Sequence, residues 1–153
     1  MKAITIVRLK KLNACKEAVN WVSSQKNKEI EPLFDTFLAE EKPLGWGNWL
    51  IARLLPKTDK IRYAIYAASK VLEIYEKKYP NDKRPREAIK AAKRYLKSPT
   101  KKNKAAAGAG AAAAGAAAAS YAASYASYAA ADAAAKKQMQ IKTLKYGVKL
   151  LLK

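Results

Sequence analysis

Twelve carboxylates, one thiol and no imidazole are the acid–base and nucleophilic groups of this 153-residue chain, its lysines and tyrosines aside. Paired carboxylates perform general acid–base work only where they converge at a suitable distance. Glu73 and Glu76 share a helical face, but Lys77 and Lys78 follow at once, so Glu76 reads as a solvated charged end. The absence of histidine removes a histidine-based triad and a Cys/His zinc site, and Cys15, the sole cysteine, has no partner for an internal disulfide. Beside Ala14 in a helical stretch, Cys15 is expected to behave as a small buried apolar residue. No GxxxxGK[ST] or GxGxxG phosphate loop occurs; residues 108–115, "GAGAAAAG", echo one without the preceding strand or the lysine. No catalytic residue, metal site or cofactor is therefore expected, and the protein reads as a binder rather than an enzyme.

Binding chemistry is better represented. The formal net charge is +19, and Lys77–Lys104 hold twelve Lys/Arg against only Asp82 and Glu87. Within that span Arg84, Arg86, Lys90, Lys93 and Lys97, followed by Lys101 and Lys102, form the candidate binding surface. Such a surface attracts anionic partners, and a phosphate-bearing one would bind with strong salt dependence. Tyr95 is the only aromatic interleaved with the 84–102 cations, which gives base-specific readout little support. A second candidate is the "GWGNW" segment, where Trp46 and Trp49 flank Gly47 and Arg53 follows one turn later. With Arg62 and Asp132 these define a candidate pocket for a small anionic ligand; the alternative is that the tryptophans close one end of a helical bundle.

The elements that position these groups read as helices. Thr5 is a candidate N-cap, and "IVRLKKLNACKEAVNWVSSQ" carries an apolar stripe at helical spacing, predicting one long helix. A shorter helix is predicted through "EPLFDTFLAEE", with Pro32 tolerated in its first turn. "KPLGWG" reads as a loop, and "NWLIARLL" as a helix capped by Asn48 and stopped before Pro56. From Thr58 or Asp59, a helix runs to Pro80 with Ile61, Ala64, Ile65, Ala68, Val71, Leu72, Tyr75 and Tyr79 on one face. Pro85 suits the first position of the next helix, which turns Ile89, Ala92 and Leu96 one way and Arg86, Lys90, Lys93 and Lys97 the other.

Residues 105–135 hold 21 alanines in 31 positions. Alanine is the best helix former, and its number outweighs the cost of about 1 kcal/mol at each of Gly108, Gly110 and Gly115, where a bend or break is expected. Tyr121, Tyr125 and Tyr128 share one face, with Ser120, Ser124 and Ser127 on the neighbouring stripe. That stripe continues into Ile141, Leu144, Val148 and Leu151, so a core helix or hairpin is expected rather than a membrane span, for the tract lacks Leu, Ile, Val and Phe. Asp132, the tract's one charge, calls for Arg62, Arg84 or Arg86 as its partner.

Taken in order, "LKKLNACKEAVNWV", "WGNWLIARLL", "KIRYAIYAASKVLEIYEKKYPNDKRPREAIKAAKRYLK" and "SYAAADAAAKKQMQIKTLKYGVKLL" resemble the alanine-rich, all-helical putative immunity protein family of bacterial and phage genomes. The most specific piece is "YPNDKRPREAIKAAKRYL". The resemblance implies an intracellular, non-enzymatic protein that binds and neutralises a toxin, and it assigns no site residues.

The expectation is thus an all-α single domain over residues 1–153, a compact bundle of about six or seven helices. Residues 1–104 form its basic helical part, and 105–153 an alanine-rich helix or hairpin packed on it. An acidic protein, such as a toxin, is the first expected partner, ahead of nucleic acid and a small anionic ligand. The N-terminus lacks a signal peptide's apolar core, so a cytoplasmic location in a bacterial cell is expected, phage-encoded genes included.

Overall fold

The computed structural model describes residues 3–110 and 133–153. The chain is all-α. The helices are α1 (Ile6–Lys11), α2 (Lys16–Ser24), α3 (Ile30–Ala39), α4 (Leu44–Leu54), α5 (Lys57–Lys78), α6 (Arg84–Lys97), α7 (described over residues 101–110) and α8 (Ala133–Leu152). Among the described residues the only extended pairing is an isolated bridge between Ala3 and Glu29, with Ile4 N–H donating to Lys28 O at 2.8 Å. The chain divides into two compact units, residues 1–56 with 140–153, and residues 57–139.

In the first unit the predicted long N-terminal helix is two. Thr5 caps α1 as expected, its hydroxyl accepting from Arg8 N–H at 3.2 Å. The helix then stops because Asn13 adopts a left-handed backbone, φ 59°. There Asn13 N–H reaches Lys10 O and Ala14 N–H reaches Leu9 O, the paired bonds of a Schellman cap. Asparagine tolerates this conformation better than most residues, so an unbroken apolar stripe conceals a break. The same device ends α3, with Glu41 at φ 51° and N–H groups of Glu41 and Lys42 donating to Leu38 O and Phe37 O. Cys15, in the break between α1 and α2, is exposed rather than buried.

The stretch read as a loop before α4 is also helical: α4 begins at Leu44 behind Pro43, not at Asn48. Gly47 thereby enters a helix whose buried face meets α3. A β-carbon on Gly47 would lie 3.2 Å from ring carbons of Phe34 and Phe37 and 3.3 Å from Leu144. Ile4, Ile30, Ile51 and Leu144 are the largest fully buried side chains. Val148, Leu150 and Leu151 are also buried, so the C-terminal part of α8 supplies core as its aliphatic spacing implied.

In the second unit, α5 ends at Lys78 before Pro80, and α6 carries Pro85 in its first turn as expected. Tyr63 is the buried residue of α5, a position outside the predicted apolar stripe, whereas Val71 within that stripe is 48% exposed. Ile89 and Ala91 are the buried residues of α6. Gly108 does not break α7, which is helical up to Gly110, the last described residue of that stretch. Gly110 is a close-approach point: a β-carbon there would sit 3.0 Å from Ala88 Cα. Gly115, the tyrosine and serine stripes and Asp132 lie outside the described residues.

Candidate functional site: a clamped basic hairpin and an aromatic cavity

Helices α5 and α6 are joined by a short turn whose centre is Asp82. Tyr75 Oη donates to Asp82 Oδ2 at 2.6 Å, while Arg84 donates through Nε to Oδ1 at 2.9 Å and through Nη2 to Oδ2 at 2.6 Å. The Arg84 backbone N–H adds a fourth bond to Oδ1 at 3.0 Å. These partners, chiefly the Arg84 side chain and then Tyr75, hold the Asp82 carboxyl far below the usual carboxylate range. Its hydrogen bond to Asp82 in turn raises the Tyr75 phenol. Beside this hub, Arg86 donates through Nε to Glu76 Oε1 at 2.6 Å and through Nη2 to Glu76 Oε2. Glu76, read from sequence as a solvated end, is instead 16% exposed and spans the two helices. The bidentate bond to Arg86 lowers its pKa.

This geometry sorts the seven candidate surface residues. Arg84 and Arg86 are committed to carboxylates of the hairpin. Lys90 reaches Glu87 Oε1 at 2.8 Å, an exposed pair three residues apart. Lys93, Lys97, Lys101 and Lys102 are exposed. The last two open α7, whose start is capped by Thr100 Oγ1 accepting from Asn103 N–H at 3.1 Å. Positive charge in a first helical turn opposes the helix dipole.

The second candidate is divided by the fold. Arg53 stacks over the Trp49 ring, 4.6 Å from its centroid. Arg62 instead belongs to the second unit, where it pairs with Asp59 at 2.7 Å, and Asp132 lies outside the described residues. The three arginines suggested as mates for Asp132 thus each hold another carboxylate. Trp46 and Trp49 do line a cavity of about 330 Å³, but its other aromatic walls come from Trp21, Phe34 and Phe37, with Leu9, Val22, Leu33 and Leu50 completing the apolar lining. The sequence reading missed these three rings because they sit on α2 and α3, and no spacing rule reports the convergence of those helices with α4. Trp21 Nε1 donates to Glu40 Oε2 at 2.6 Å, which together with Lys42 lowers the Glu40 pKa.

Residues 53–148, more than half of the chain, match the Imm-5 like putative immunity protein family. The chain belongs to that family. No curated protein and no solved structure matches it. The matched span of this immunity-family chain contains the whole clamped hairpin, and the aromatic cavity, lined from Leu9 to Leu50, precedes it. No described helix is long and apolar enough to cross a membrane, and the described residues contain no metal-ligating cluster.

Proposed function

We propose that this chain is a non-enzymatic immunity protein that binds an acidic protein partner, a toxin of the bacterial cell in which it acts, through the basic face of α6 and the start of α7. The observation that carries the reading is the row of exposed Lys93, Lys97, Lys101 and Lys102 beside a hairpin whose Arg84 and Arg86 are already neutralised. The clamps hold the two helices together without using those lysines, so little ordering accompanies binding. Lys101 and Lys102 sit against the unfavourable end of a helix dipole, and carboxylates of a partner would relieve both charges. Nucleic acid is the second reading, favoured by the charge density of residues 77–104. It ranks lower because Tyr95 is half-buried, leaving no exposed ring in this row for bases to stack on.

The test is co-expression with the toxic product of the adjacent gene, scored by growth. The wild-type chain should restore growth and a K93E/K97E/K101E variant, with unchanged circular dichroism, should not. Undiminished toxicity beside the well-expressed wild-type chain would sink the immunity reading.

A further inference from the structure

We infer that the cavity between α2, α3 and α4 is a binding site for a small neutral aromatic molecule of about two fused rings, separate from the partner surface. Five aromatic side chains line it, Trp21, Phe34, Phe37, Trp46 and Trp49, with Leu9, Val22, Leu33 and Leu50 between them. The rings brace one another, Trp21 meeting Phe37 edge-on with centroids 5.7 Å apart and 71° between planes, and Phe34 lying 5.7 Å from Phe37. Edge-to-face contacts of this kind favour a fixed arrangement over collapse into the space. The volume of about 330 Å³ stands at the low end of small-molecule sites and is too small for a helix.

The chemistry of the walls selects a neutral ligand. The Trp21 indole N–H is engaged by Glu40, and no buried side-chain nitrogen or oxygen among the described residues lacks a partner. Among the lining residues no side chain is charged, and Asn13, the Cys15 thiol and the tryptophan indoles are the polar ones, so an ion entering would recover little of the hydration it sheds. This differs from the anionic ligand expected from Trp46, Trp49, Arg53 and Arg62, because the arginines do not line the space.

Gly45 supplies the second observation. It lines the cavity, is exposed in the first turn of α4, and a β-carbon there would meet nothing within 4 Å. Most side chains would favour the helix over glycine, by up to about 1 kcal/mol for alanine, and would add bulk at this edge of the cavity. Glycine leaves this edge clear. Cys15, also lining the cavity and exposed, is a ready reporter.

The experiment uses the full chain and indole, a neutral bicyclic probe. Indole should raise the melting temperature progressively and slow alkylation of Cys15 to a plateau, and Gly45→Leu should abolish both effects. Gly45→Leu itself should melt at or above the wild-type temperature, since it enters open space. Four outcomes overturn the inference: no effect of indole on the wild type; an effect surviving in Gly45→Leu; benzoate binding as well as indole; or a Gly45→Leu chain that no longer unfolds cooperatively. Concentration-dependent dimerisation lost in Gly45→Leu would give the cavity to a second copy of the chain and overturn it as well.

Discussion

Arg86 forks onto the carboxylate of Glu76, ten residues back along the chain, with Nε donating to Oε1 at 2.6 Å. The bond joins α6 to α5 beside the Asp82 hub, so the hairpin is held by two neighbouring arginine–carboxylate clamps. Both carboxylates are drawn below their ordinary values, which ties the stability of the second unit to acid pH.

Unfolded, Glu76 takes up a proton near 4.5 and Asp82 near 3.8; folded, each does so at lower pH. In that window the unfolded chain holds more protons, so acidification favours unfolding. Stability should be full above about pH 5 and fall as pH drops through the carboxylate range. Urea titrations from pH 7 to pH 2 check this. Glu76→Gln and Asp82→Asn should each lower the midpoint at pH 7 and flatten its dependence on acid.

Two neighbouring glycines of α7 should respond with opposite sign. Gly108 faces open space, so Gly108→Ala should stabilise by up to about 1 kcal/mol through helix propensity alone. Gly110→Ala would set a β-carbon against the main chain at Ala88 and should destabilise, by about 1 kcal/mol or more once the helices separate. Trimming the neighbour in Gly110→Ala/Ala88→Gly should give no full rescue, because the nearest atom is a backbone carbon. Thermal or chemical denaturation of the four chains distinguishes these outcomes.

Burial pushes the Tyr63 phenol up to about 12 from its ordinary 10.0. The folded state keeps its proton where the unfolded state loses it, so this contribution is intact below pH 10 and is lost as pH rises toward 12. Absorbance at 295 nm should show a late-titrating tyrosine, absent in Tyr63→Phe. Tyr75, raised by its bond to Asp82, should shift toward normal in Asp82→Asn.

Gel-shift titration separates protein from nucleic acid as the target of the lysine row. If duplex DNA were held by Lys93, Lys97, Lys101 and Lys102, log K should fall with log salt at a slope near −0.9 per contact. The expected result is weak, non-specific retardation at low salt that vanishes at physiological salt. Retention at physiological salt, with a preferred sequence, would favour nucleic acid over the acidic-protein reading.

Where periodicity and punctuation act locally, the sequence was readable. Thr5, Pro56, Pro80 and Pro85 bound helices as expected, and Leu144, Val148 and Leu151 are core at the positions their spacing implied. The basic character of residues 77–104 is likewise a property of composition. The misread places share one cause, in that backbone conformation or packing overrode residue preference. Asn13 turns left-handed within an apolar stripe, and Gly47 stands inside a helix, where its missing side chain lets it pass close to Phe34 and Phe37.

Composition and spacing alone determined that this chain is helical, strongly cationic and without histidine chemistry, because each of those follows from residue types and local intervals. Tertiary structure alone decided which cations remain on offer. Arg84 and Arg86 look equivalent to Lys93 and Lys97 along the chain, but the turn at Asp82 brings Asp82 and Glu76 to the arginines. It also gathered five rings from three helices around one cavity, since side chains distant in sequence meet only when the backbone folds back.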